Sequence, residues 1–118
     1  QSTYPPEVSA VDGAGLRRIT RTNDEFLQGI RLAATRRSTV KSADGTAVDT
    51  FLTLPPHAAP GRRLPAVLRI HGGPVAQYTS GWQLDWQIFA AHGYAVLQVN
   101  FRGSGGRGDA FVAAGRQQ

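Results

Sequence analysis

Two short apolar runs, each closed by a glycine-rich loop, constrain this chain more than any other feature. Ala66-Val67-Leu68-Arg69-Ile70 runs into His71-Gly72-Gly73-Pro74, and Tyr94 to Val99 runs into Asn100-Phe101-Arg102-Gly103. Between them Trp82, Asp85, Trp86 and Phe89 fall at helical spacing, and Gly93 after His92 reads as a helix stop. Strand, helix and strand with short links make a βαβ unit. Ala66–Ile70 and Tyr94–Val99 are therefore expected as neighbouring parallel strands, with the Trp82–Phe89 helix on one face and a right-handed crossover. Such near-continuous apolar runs suit a sheet covered on both faces. Asp109 to Ala114 starts another helix.

Upstream the pattern is antiparallel. Glu7–Asp12 and Leu16–Thr20 flank the turn signal Asp12-Gly13-Ala14-Gly15 and read as a β-hairpin. Thr22-Asn23-Asp24-Glu25 looks like a helix start, with Phe26, Leu27 and Ile30 at helical spacing and Gly29 as a weak point. Arg37–Ser42 and Ala47–Leu54 form a stronger hairpin, in which Asp44-Gly45 is the chemistry of a two-residue turn. Pro55-Pro56 ends it, and residues 57–65 form a loop. No repeat or low-complexity segment is present.

Composition removes several function classes. The chain has no cysteine, so a disulfide scaffold, a thiolate zinc site and a cysteine nucleophile are excluded. The histidines lack metal-ligand spacing, and no metal or cofactor is expected. No apolar run approaches the ~18 residues of a membrane span. No secretory signal is visible, and the compartment stays unassigned. The formal charge is +5, with 12 of the 13 basic residues arginine. These arginines are scattered in pairs without a basic helix or interleaved aromatics. A solvated surface, or salt bridges to protein outside this chain, is therefore preferred to nucleic-acid binding. Because the chain opens on Gln1, an excised or processed piece is expected.

In an open α/β sheet, ligands bind beyond the carboxyl ends of the strands, and both glycine loops lie at such ends. In His71-Gly72-Gly73-Pro74 the glycines let backbone N–H groups approach a ligand, and two N–H groups aimed at one point stabilise an oxyanion. A tight turn alone is the competing reading; a His-Gly-Gly pattern after an early strand matches the oxyanion loop of lipases and esterases. His71 is expected to orient the loop rather than transfer protons, and His92 to suit the end of its helix. The stretch from Gly103 to Gly108 formally matches G-x-G-x-x-G, but a complete βαβ unit precedes it and Arg102 opens it with a large side chain. Dinucleotide binding is disfavoured on that account, and without a following lysine a P-loop is excluded. Arg107-Gly108-Asp109 is read as a coincidental adhesion tripeptide. Ser80 and Ser104 both fail the G-x-S-x-G pattern, so neither is an elbow nucleophile.

Taken as a set, these motifs resemble the prolyl oligopeptidase family of serine peptidases, in its acylaminoacyl-peptidase and dipeptidyl-peptidase branches. The likeness rests on His71-Gly72-Gly73-Pro74, Trp86-Gln87, Gly93 to Leu97, and Asn100 to Gly105, with Arg18-Ile19-Thr20 and Lys41 to Gly45 upstream. It implies an α/β fold: the N-terminal part of an α/β-hydrolase domain preceded by the last strands of a β-propeller. The implied boundaries are a propeller end over 1–22, a linker helix over 23–36 and an incomplete catalytic domain over 37–118. It further implies peptide-bond hydrolysis through an acyl-enzyme. Gly73 would be the oxyanion donor and Gly72 the second choice. His71, Pro74, Asn100 and Arg102 would be cleft or supporting residues. The Ser, Asp and His of a triad would come from a second polypeptide or the rest of the same protein, leaving this chain inactive alone. An esterase or lipase of the same fold, or a non-catalytic nucleotide-binding module, is the alternative.

Overall fold

The computed structural model describes residues 4–73 and 75–116. A two-stranded antiparallel hairpin, β1 (Ser9–Asp12) and β2 (Gly15–Arg18), is followed by the single-turn helix α1 (Asp24–Leu27). A four-stranded sheet holds β3 (Thr35–Lys41), β4 (Ala47–Thr53), β5 (Ala66–Arg69) and β6 (Ala95–Asn100), in the order β3-β4-β6-β5. Helices α2 (Leu84–Ala91) and α3 (Asp109–Ala113) complete the chain. β5 and β6 pair in parallel, Val67 opposite Val96 and Arg69 opposite Gln98, as the βαβ reading requires. β6 also pairs antiparallel with β4, so the sheet is mixed.

Alternation places Phe51, Val96, Gln98 and Asn100 on the sheet face that α2 covers. Trp86 from α2 is 2% exposed and packs with Phe51 and Val96, and Tyr78 and Phe89 close the cluster. Gln98, on the same face, is fully buried, and its side-chain amide has no hydrogen-bond partner among the described residues. The other face is only partly covered: Val48 is buried, Leu52, Leu97 and Val99 are half-buried, and Val40 and Leu68 are exposed.

Three expectations need correction. The linker helix expected over 23–36 is a single turn. Gln28 leaves helical geometry, Gly29 takes a φ of 78°, and Phe26 is left exposed. The segment after it is fastened instead by Gln87, whose amide accepts from Ala33 N–H at 2.7 Å and donates to Ala33 O at 3.1 Å. The hairpin turn at Asp44-Gly45 is a three-residue loop rather than a two-residue one. Ser42 N–H bonds Thr46 O, Gly45 N–H bonds Ser42 O, both at 2.9 Å, and Gly45 is left-handed, the geometry of a type I turn closed by a bulge. Helix α2 runs two residues later than expected, over Leu84–Ala91, with Trp82 outside it. Its stop is where Gly93 indicates. Tyr94 N–H reaches Phe89 O at 3.1 Å and Gly93 N–H reaches Ala90 O at 3.0 Å, a Schellman closure. Several arginines also find acids within the chain. Arg18 meets Asp24, Arg69 meets Asp85, Arg102 meets Asp44, and Arg37 and Arg107 share Asp49.

Truncating the largest buried side chain tests this core. Trp86→Ala should cost about 3–5 kcal/mol, the scale for deleting a buried aromatic. Urea unfolding checks it; an unchanged midpoint would contradict the placement of Trp86.

Candidate oxyanion loop and its bracing

Because β5 and β6 run parallel, their carboxyl ends open on the same edge of the sheet. The His71 loop and the Arg102–Gly108 loop therefore meet, although they lie some thirty residues apart in sequence. Their contacts are specific. His71 Nε2 lies 2.8 Å from Ser104 Oγ, and Ser104 is fully buried. The imidazole stacks on Phe101 at 4.6 Å between centroids and takes the edge of Tyr78 at 5.2 Å. Its Nδ1 faces Gly72 O at 3.4 Å.

Asn100, 4% exposed, clamps the segment that follows. Its Oδ1 accepts from Tyr78 N–H at 2.8 Å and its Nδ2 donates to Tyr78 O at 3.0 Å. Gly105 N–H bonds Ala76 O at 3.2 Å. A side chain at Gly105 would meet Val75 O at 2.8 Å, and one at Gly106 would collide with the Gln77 amide. Gly105 and Gly106 of the second loop are thus explained by close packing against residues 75–77. The N–H groups of Gly103 and Gly105 are occupied by Phe111 O and Ala76 O, which leaves little of a phosphate cradle. The adhesion-like tripeptide is likewise committed, since Arg107 bonds Asp49 at 3.0 Å.

Gly72 and Gly73 differ from Gly103 and Gly105. Both are exposed, and among the described residues neither N–H has a backbone acceptor. Gly73 holds a φ of 73°, a left-handed conformation that a side chain would strain. Pro74, the fourth residue of the expected loop, lies outside the described residues. The structure therefore brings His71, Gly72, Gly73 and Asn100 into one braced unit, while Arg102 turns to Asp44 in the β3–β4 loop. That loop holds the Asp44 carboxyl below its ordinary range, through hydrogen bonds from Ser42 and Thr46 and the charge of Arg102. Neither remaining histidine joins the unit: Arg31 reaches His57 Nδ1 at 3.0 Å, and His92 Nδ1 meets Ile88 O at 2.8 Å at the end of α2. No group of metal-ligating side chains occurs among the described residues. No helix among them is long and apolar enough to cross a membrane.

Sequence reasoning missed Asp49. Its carboxylate is nearly buried on β4, where Oδ2 accepts from Arg37 at 2.9 Å and Oδ1 accepts from Thr39 and Arg107, each at 3.0 Å. An acid inside the run Ala47 to Leu54 was the available signal, because a buried charge needs partners. Ser104 was weighed only as a nucleophile; its burial and its histidine partner give it a different place.

A family model described as the prolyl oligopeptidase family matches residues 80–118. The uncharacterized peptidase YuxL of Bacillus subtilis is 33% identical over 113 residues, 95% of this chain and 17% of that protein. Dipeptidyl aminopeptidase BIII of Pseudoxanthomonas mexicana is 42% identical over 82 residues, 64% of this chain and 12% of that protein. The solved acylaminoacyl peptidase of Pyrococcus horikoshii superposes with a TM-score of 0.81 at 27% identity, over 93% of this chain and 18% of its own. The chain belongs to the prolyl oligopeptidase family, and it spans less than a fifth of the length of each of these relatives.

Asp49 gives this region a pH dependence. Burial works to raise its pKa, but the hydrogen bonds from Arg37 and Thr39 and the charges of Arg37 and Arg107 outweigh it, so the folded-state value is depressed. The associated stability is present above the unfolded value of ~4 and is lost as pH falls through the depressed folded value. Asp49→Asn should therefore lose roughly 1–3 kcal/mol at neutral pH, the scale of hydrogen bonds to a charged group. Its stability should also fall less steeply in acid than the wild type's. Parallel acid-unfolding curves for the two would contradict the assignment.

Proposed function

We propose that this chain is the junction of a serine peptidase, joining the end of a β-propeller to the first strands of an α/β-hydrolase domain, and that it supplies the oxyanion loop. In this reading β1 and β2 over 1–22 close the propeller. Residues 23–36 form the link, and 37–118 begin the catalytic domain. The observation that carries the proposal is the exposed Gly72-Gly73 pair. It sits at the carboxyl end of β5, its N–H groups lack acceptors among the described residues, and two adjacent segments brace it. Membership of the prolyl oligopeptidase family and relatives named as peptidases support the chemistry.

Acyl transfer from a peptide bond to serine moves negative charge onto the carbonyl oxygen. Gly73 N–H, with Gly72 N–H as second donor, would bind that oxygen more tightly as its charge grows, which lowers the barrier rather than merely binding substrate. Asn100 holds Tyr78 and so the far end of the loop. The nucleophile, its base and the orienting acid would come from protein beyond this segment. Peptide carbonyls are the proposed substrate; no cofactor is required. The braced glycine loop gives no support to the nucleotide-binding alternative. An esterase is separated from a peptidase by substrate.

The test uses the full-length protein that carries this segment. It should hydrolyse aminoacyl or peptidyl anilides in preference to short acyl esters. Gly73→Val should lower anilide turnover ~100-fold or more while the protein stays folded, the scale for losing one oxyanion donor. Near-normal turnover in a folded Gly73→Val protein would remove Gly73 from the site. Preferential ester hydrolysis would favour the esterase.

A further inference from the structure

We infer that Ser104 is the positioning residue of the oxyanion loop, acting through His71 to fix the direction of the Gly73 N–H; this rests on the proposed role of Gly73. The argument follows a chain of atoms. Ser104 is fully buried, and the one partner of its hydroxyl among the described residues is His71 Nε2, at 2.8 Å. A neutral imidazole has one donor and one acceptor nitrogen. If Nε2 carried the hydrogen, the Ser104 hydroxyl proton would be buried without an acceptor. Ser104 therefore donates, Nε2 accepts, and the ring hydrogen sits on Nδ1.

On Nδ1 that hydrogen faces Gly72 O, at a long 3.4 Å. Gly72 O and Gly73 N–H belong to the same peptide group. That group is planar and trans, so its carbonyl and N–H point in opposite directions. Holding Gly72 O toward the imidazole thus aims Gly73 N–H away from it, into the open space before the loop. Phe101 stacked on the ring and Tyr78 at its edge prevent the imidazole from rotating out of this relay. Without the serine, the ring loses its fixed tautomer. The Gly72–Gly73 peptide, flanked by a left-handed glycine with open surroundings, is then free to turn over.

Two measurements on the full-length protein test this. First, 15N spectra of histidine-labelled wild type, assigned with His71→Gln, should show His71 as the neutral Nδ1–H tautomer. An Nε2–H tautomer would overturn the relay. Second, Ser104→Ala should lower kcat for peptidyl anilides by about 10- to 100-fold with KM within about twofold, because an orientation used mainly in the transition state is lost. The spectrum of a folded Ser104→Ala protein should show a tautomer mixture. Unchanged kcat in an active, folded Ser104→Ala protein would overturn the inference. Wild type inactive on anilides would instead count against the peptidase reading, while the tautomer spectrum still decides the Ser104–His71 lock. If Ser104→Ala fails to fold, the wild-type spectrum decides alone.

Discussion

Parallel pairing of Ala66–Arg69 with Ala95–Asn100 is the constraint on which the rest of this structure depends. Two strands that run the same way must release their chains at the same edge. The crossover between them must then travel back, and here α2 does so across the face that buries Phe51 and Val96. Everything at the candidate site follows from that geometry. The glycine pair after the first strand and the buried serine after the second become neighbours, and His71 and Ser104 bond at 2.8 Å. An antiparallel arrangement would have put them at opposite ends.

Around this frame the chain spends its polar residues on fastening loops to strands. Asn100 ends β6 and clamps Tyr78 through both backbone groups. Asp49, opposite Asn100 on the same face of β4, gathers Arg37 from β3 and Arg107 from the second glycine loop. Arg102 reaches across to Asp44. These bonds join residues far apart in sequence, and beside them Gly72 and Gly73 stay exposed, with no backbone acceptor for either N–H among the described residues. A rigid surround with open N–H groups at one point is what preorganised electrostatic stabilisation requires.

Much of this was legible in the sequence because it depended on local signals. The parallel strands were readable from two apolar runs and an intervening helical spacing, and the end of α2 from Gly93. The motif set from His71 to Gly105 pointed to the family. What was not legible depended on partners distant in sequence. The linker helix ended after one turn with Phe26 left exposed, a fact of tertiary surroundings. The Asp44 turn added a residue because Ser42 and Thr46 pair, which an Asp-Gly pair does not reveal. The role of Ser104 needed its histidine, and Asp49 needed both arginines. The arginines themselves, scattered in sequence, gave no hint that several find acids within the chain.

In its proposed role, Gly73 N–H donates to an oxyanion from a loop braced by residues at the end of β6. The most direct measurement is a crystal structure of the full-length protein with a peptide-like transition-state analogue bound to its nucleophile. The analogue's anionic oxygen should lie about 2.7–3.1 Å from Gly73 N, with the Ser104–His71 contact intact. An anionic oxygen bound elsewhere, with Gly72 and Gly73 facing solvent, would contradict it.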